Sequence, residues 1–171
     1  PIDLSAFDGQ TLNDSNWTTR PIFEMLYVGI QAASTTAVLP LPPLDNIIGA
    51  FDALAPGAPI PLSFLLFEYS DFRQDAIAEN LLTFDDGHFY DVAGRPESPY
   101  RSRTLFAGTL AQAEVDRLHV RFHLDPNFLF TNFDETIDQL ELDFNNGNGW
   151  QAYEVEDLIS VPYAEPGTKK L

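Results

Sequence analysis

Leu140-Glu141-Leu142-Asp143-Phe144-Asn145-Asn146-Gly147-Asn148-Gly149, followed after a short interval by Val161-Pro162-Tyr163-Ala164-Glu165-Pro166-Gly167-Thr168, decides how this chain is read. The first run is a β-strand entering a tight turn, because Asn and Gly tolerate the left-handed backbone that such a connection needs. The second run is a corner followed by a turn into a last strand. Tyr163 has a ring to bury and a hydroxyl to return to the main chain, Pro166 presets one turn dihedral, and Gly167 accepts a positive φ.

Working back from that stretch, Leu118, Val120, Phe122 and Leu124 alternate with His119, Arg121 and His123, the strongest two-residue period in the chain. Strands are expected at Ile137 to Phe144, Trp150 to Val155 and Leu158 to Tyr163. Ile60 to Tyr69 is apolar and aromatic enough for a buried strand. Phe84-Asp85-Asp86-Gly87-His88-Phe89-Tyr90 reads as a hairpin around an Asp-Gly turn, and Arg103 to Leu110 as a further strand. Many short strands separated by turn residues point to a sandwich.

The first 58 residues differ. Asn13, Asp14 and Ser15 offer N-caps for a helix that begins near Trp17 to Thr19 and carries Ile22, Phe23, Leu26, Tyr27 and Ile30 on one side. Pro21 fits only its first turn. After Pro40, Pro42 and Pro43, Asp45 is expected to cap a short helix over Ile47, Ile48, Phe51 and Leu54, ended by Pro56, Gly57 and Pro59. The expected organisation is therefore a helical, Pro-rich segment over 1–58, a β-rich region over 59–114 and a β-sandwich module over 115–171. The fold class is mainly β, an immunoglobulin-like sandwich with an N-terminal helical segment.

Composition narrows the partners, while leaving both secretion and the cytosol open. In 171 residues, 44% are hydrophobic and 13% aromatic, with fourteen Phe, which excludes a disordered chain. Nine basic against twenty-six acidic residues leave a net charge of −17, which repels nucleic-acid phosphates and anionic lipid. The absence of cysteine removes disulfides and thiolate zinc sites. No apolar run approaches the roughly 20 residues of a membrane span. Pro1 reads as an excised start and Gly167 to Leu171 as a strand cut short, so the chain is expected to be a fragment of a longer protein.

The turn at 143–149 and the corner at 163–168 together resemble the polycystic kidney disease (PKD) type of immunoglobulin-like module. Its alternating strand is matched by Leu118, Val120 and Phe122. Its tryptophan-aspartate-phenylalanine core is matched by Leu142, Asp143 and Phe144, with Leu142 in the tryptophan place, and its glycine-aspartate-glycine turn by Asn145, Asn146 and Gly147. A looser resemblance, over Asp143 to Gly149 and Tyr163 to Lys169, is to long acidic cell-surface proteins of Bacteroidetes-like bacteria. Both imply an extracellular or bacterial cell-surface location. They also imply a non-catalytic structural or adhesive module whose partners are other protein modules or glycans. The alternative is an accessory, substrate- or glycan-binding domain of a secreted enzyme.

Candidate sites follow from residue chemistry. Asp143, Asn145, Asn146 and Asn148 offer oxygen ligands of the kind Ca²⁺ takes, although this run is not an EF-hand; the other reading is a solvated turn on an acidic surface. His119 and His123 lie about 13 Å apart at 3.3 Å per residue, too far for one metal, and read as a polar sheet face. His88 either pairs with a neighbouring carboxylate or serves as a turn residue. No G-x-S-x-G elbow or H-E-x-x-H motif marks a hydrolase. Exposed aromatics are the better route to a binding site. Trp150, after a glycine turn, and Tyr153 are the expected contact residues, with Trp17, Tyr69, Tyr90 and Tyr100 as further candidates.

Overall fold

The computed structural model describes residues 3–9, 16–33, 41–134 and 136–171. Strands hold 34% of the described residues and helices 19%, so the described structure is mainly β with two α-helices. Its centre is β1 (Ile60–Phe72), buried on both faces almost without interruption from Ile60 to Phe67. A continuous apolar run of that kind belongs to a central strand covered on both sides. The one polar residue in it, Ser63, donates its hydroxyl to the Phe128 carbonyl at 3.2 Å.

Antiparallel β4 (Tyr100–Leu110) lies along one edge of β1, in register from Leu62↔Leu110 to Phe72↔Tyr100. The opposite edge is shared by two short parallel strands. β5 (His119–His123) pairs at Ile60 and Pro61, and β6 (Leu129–Thr131) at Phe64 to Leu66. Between them the chain bulges outward in a 3-10 turn, Pro126–Phe128, capped by Asp125, whose carboxylate accepts the Asn127 N–H at 2.9 Å. β9 (Leu158–Pro162) closes the far side against β5. Two hairpins stand apart from this five-stranded sheet: β2 (Leu82–Asp85) with β3 (His88–Asp91), and β7 (Gln139–Leu142) with β8 (Gln151–Glu154). β1 pairs antiparallel on one edge and parallel on the other, so the central sheet is mixed.

Helix α1 (Arg20–Ala33) follows the predicted apolar face. Phe23, Leu26, Tyr27 and Ile30 are buried, while Met25 and Val28 face solvent. The Tyr27 ring meets Phe130 of β6 edge-on at 5.5 Å, and its hydroxyl donates to the Pro42 carbonyl at 2.5 Å. Helix α2 (Leu44–Asp52) buries Ile47 and Phe51. Asp45 is not its cap: Pro43 holds that position with extended ψ, and Asp45 sits one residue inside the first turn. There its charge favours the helix N-terminus through the dipole alone. Leu54 lies beyond the helix end. Arg20 ties the two helices together, donating to Glu24 and Asp52 at 3.0 Å each with its guanidinium over the Phe51 ring.

Most strands from Ile60 onward fall where their patterns predict, with shifted ends; β6 had no predicting pattern, and no strand forms after the Pro166-Gly167 turn. The alternation in β5 buries Val120 and Phe122, and Leu124 beyond it, while Leu118 is exposed just before the strand. The expected caps Asn13, Asp14 and Ser15, together with Pro40 and Glu135, lie outside the described residues. The main apolar core draws on the 1–58, 59–114 and 115–171 segments alike, including Phe23, Phe51, Phe67, Leu105, Phe122 and Phe144.

Candidate contact surface

Beyond Glu68 the sheet narrows. The Asn132 side chain takes the place of another strand residue: its carbonyl accepts the Glu68 N–H and its amide donates to the Glu68 carbonyl, both at 2.8 Å. From there β1 and β4 continue as a ribbon to Phe72↔Tyr100, closed by the Arg73 N–H on the Pro99 carbonyl at 2.9 Å. Residues 73–99 form the rest of this arm around a small separate core of Ala76, Leu81 and Leu82. Its hairpin turns at Asp86 (φ 45°) and Gly87 (φ 80°), the paired left-handed residues of a two-residue turn.

The two-residue turn puts Phe84 directly opposite Phe89. Their rings are 4.9 Å apart, Phe89 stacks on Phe72 at 5.1 Å, and Phe72 lies 5.2 Å from Tyr100. The four rings form a continuous row from the hairpin to the ribbon, yet they remain 55%, 51%, 44% and 45% exposed in the order Phe84, Phe89, Phe72, Tyr100. Since an aromatic side chain has about 150–250 Å² to bury, half-exposure of four leaves a patch on the order of 400 Å², a size often functional on a monomer.

Charged pairs brace the row. Arg73 holds Asp75 through two hydrogen bonds of 3.0 Å and also holds Glu97. Arg95 holds Asp91 at 2.5 Å, and Asp71 receives Arg101 at 3.0 Å and Arg103 at 3.4 Å. Hydrogen bonding to Asp75, then to Glu97, keeps the Arg73 guanidinium protonated well beyond its ordinary range, and the same contact with Arg73 holds the Asp75 carboxyl below its ordinary value. A shallow cleft of about 390 Å³ opens between Arg73, Gln74, Asp75 and Arg101. Four of the nine basic residues are therefore on this arm, each already matched to a carboxylate. Asp85 and Asp86 at the hairpin tip and Glu79 below it are exposed.

Of the residues expected from sequence to make contacts, Tyr100 joins the ring row, and exposed Tyr90 lies on the opposite face of the hairpin from Phe84 and Phe89. Trp150 is 56% exposed, at the entry to β8. Tyr153 is half-buried with its ring edge-on to core Phe144 at 5.6 Å, so the structure does not bring it to Trp150. Trp17 lies under the Lys170 ammonium, 5.0 Å from its ring centroid, and Tyr69 is half-buried. At the Asn/Gly turn, the Asp143 carboxylate accepts the Asn145 N–H at 2.8 Å and the Asn146 side-chain oxygen accepts the Asn148 N–H at 3.2 Å. Those oxygens fix the turn itself. Among the described residues no three His, Asp or Glu side chains converge as a metal group.

The histidines have specific partners. His119 meets the Ser160 hydroxyl at 2.8 Å, and His123 faces Asp125 at 3.7 Å. His88 places Nδ1 2.7 Å from the Asp86 main-chain carbonyl, and this backbone bond takes the place of a carboxylate partner. At the Tyr163 corner, the main-chain N–H donates to the Leu118 carbonyl at 2.7 Å and Lys169 stands over the ring at 5.5 Å. Burial pushes the Tyr163 phenol above its ordinary pKa.

Sequence reasoning passed over Phe72, Phe84 and Phe89. A signal for the last two was present: a two-residue Asp-Gly turn makes positions five apart cross-strand partners, so Phe84 and Phe89 had to face each other. A second cleft, of about 570 Å³, lies between the 112–118 loop and the 163–171 segment, over Ile60, Val120 and Phe122. No helix among the described residues is long and apolar enough to cross a membrane. Comparison with protein-family models, curated proteins and solved structures finds no match.

Proposed function

We propose that this chain is a non-catalytic contact module of a secreted or cell-surface bacterial protein, and that it engages its partner through the ring row Phe84–Phe89–Phe72–Tyr100. The observation that carries this reading is the half-exposure of four mutually contacting rings at the end of a braced two-stranded arm. Burying them in an intramolecular core would be the ordinary use of such side chains. Held instead at the surface in fixed orientation, they have lost part of their rotamer freedom before a partner arrives, which lowers the entropic cost of binding.

The PKD-like, immunoglobulin-type reading of residues 115–171 belongs to the same proposal. It is supported by the antiparallel β5–β9 pair and by the β7–β8 hairpin, whose connecting loop carries Phe144, stacked on Phe122 at 4.8 Å. Calcium at Asp143, Asn145, Asn146 and Asn148 is a separate question for melting experiments at matched ionic strength. A rise in millimolar Ca²⁺ over EDTA that disappears in Asp143→Asn would support it, and equal values would discard it.

The contact role is tested by placing a photo-crosslinking phenylalanine analogue at position 89, at position 150 and, as a control, at exposed position 25 on α1, in the cells that make the protein. The expected outcome is a discrete protein adduct from position 89 and none from position 25. Absence of any adduct from position 89 would overturn the ring-row assignment. Turnover of ester, peptide or glycoside substrates that survives purification and is abolished by one carboxylate substitution would replace the non-catalytic reading with an enzymatic one.

A further inference from the structure

Resting on that reading of the arm, we infer that the ring row takes a cationic polypeptide segment, one that carries Lys or Arg beside large apolar side chains. The first argument is charge. Between positions 71 and 103 seven acidic residues face four basic ones, leaving −3, within a chain of net charge −17. All four arginines are neutralised by carboxylates in the arm. The field around the rings is therefore set by the surplus carboxylates, Asp85 and Asp86 at the hairpin tip among them. Such a surface accelerates encounter with a cationic segment and repels acidic ones.

The second argument is the chemistry of the rings. Three of the four are Phe, with no polar atom to offer. The guanidinium groups nearest to them already donate to carboxylates, which leaves few polar groups to satisfy sugar hydroxyls. Aromatic faces do attract ammonium and guanidinium groups. Among the described residues that contact recurs internally, with Arg20 over Phe51, Lys169 over Tyr163 and Lys170 over Trp17. A second copy of the chain is the less suitable occupant, since it would bring the same −17 and the same acidic hairpin to the interface.

The test uses the whole chain and short synthetic peptides of equal Leu content that carry Lys, Gln or Glu at the remaining positions, with chitohexaose as the glycan probe. Amide chemical-shift mapping locates binding, and calorimetry at low and high salt measures it. The expected result is binding of the Lys–Leu peptide, with shifts confined to the segments around positions 72, 84–89 and 100. Phe84→Ser/Phe89→Ser should weaken that binding roughly tenfold or more, as expected for anchor side chains. Asp85→Asn/Asp86→Asn, which leaves the rings and an Asn-Gly turn intact, should weaken it severalfold and flatten its salt dependence. Trp150→Ser should leave it unchanged, and circular dichroism checks that each variant folds.

Three results would overturn the inference while leaving the contact role standing: preference of the arm for the Gln–Leu or Glu–Leu peptide, preference for chitohexaose, or concentration-dependent dimerisation lost in Phe89→Ser. Shifts spread over the acidic surface and unaffected by the Phe variants would also overturn it, as nonspecific attraction. No binding at the arm by any probe, together with no crosslink from position 89, would remove the inference and the contact role together.

Discussion

Gly9 and Gly108 show how closely the sheet and its cover approach. A Cβ at Gly108 would come within 2.9 Å of the Phe64 ring, its register partner, which stacks on Phe106. At Gly9, where φ is +73°, a Cβ would meet the Phe106 Cβ at 2.8 Å, an atom held by the β4 backbone. Gly108→Ala should therefore cost about 1–3 kcal/mol by overpacking, with Phe64 able to yield part of the space. Gly9→Ala adds left-handed backbone strain and has no flexible neighbour, so it should lower the urea midpoint more. Tyr27 provides a pH prediction. Burial pushes its phenol from 10.0 up to about 12, so the folded state holds the proton more tightly than the unfolded chain. The stability it supports is complete below pH 10 and is lost as pH rises through about 12. Tyr27→Phe should be less stable than the parent at neutral pH by about 1 kcal/mol, through loss of the bond to Pro42. Part of the alkaline decline should vanish with the phenol, which denaturation at stepped pH would reveal.

At the scale of elements, Asn132 ends the β6 edge by imitating a backbone amide, and the arm begins where it does so. Asn132→Ala exposes the Glu68 N–H and carbonyl to water, which can replace both bonds. A loss of about 0.5–1.5 kcal/mol is expected, together with faster amide exchange at Glu68 and little change at Phe64 to Leu66. No loss would mean that the two 2.8 Å bonds contribute nothing beyond hydration. Elements differ in how plainly the sequence announces them. Helix α1 was legible because Phe23, Leu26, Tyr27 and Ile30 recur on one face, and the β2–β3 turn because Asp86-Gly87 meets a specific backbone demand. β6 was not. Its three residues follow Asp125-Pro126 with no period to read, and they become a strand only because β1 offers an edge at Phe64 to Leu66. The missing part of the candidate surface has a similar cause. Phe84 and Phe89 read only as hairpin residues and Phe72 was not singled out, since a pattern tells which face a side chain takes but not whether another layer covers it.

Across the whole molecule, charge dominates the response to conditions. Even if every one of the nine basic residues paired with a carboxylate, seventeen negative charges would remain unmatched. Added monovalent salt weakens those surface pairs but screens the larger repulsion, so the melting temperature at neutral pH should rise from low to moderate salt. A fall would mean that the ion pairs of the arm and helices outweigh the excess charge. A core shared by residues of all three sequence segments makes that response a property of the chain as a unit.

By itself the sequence determined the acidity, the mainly β character, the two helices and the turns, because each depends on residues close together in the chain. Only the tertiary structure decided that β5 and β6 lie parallel along one edge of β1, and that four aromatic rings gather on the arm without a cover. The physical reason is that strand pairing and burial are relations between distant segments. β1 meets β6 across more than sixty residues of chain, and whether Phe89 is core or surface depends on what the rest of the molecule leaves over it.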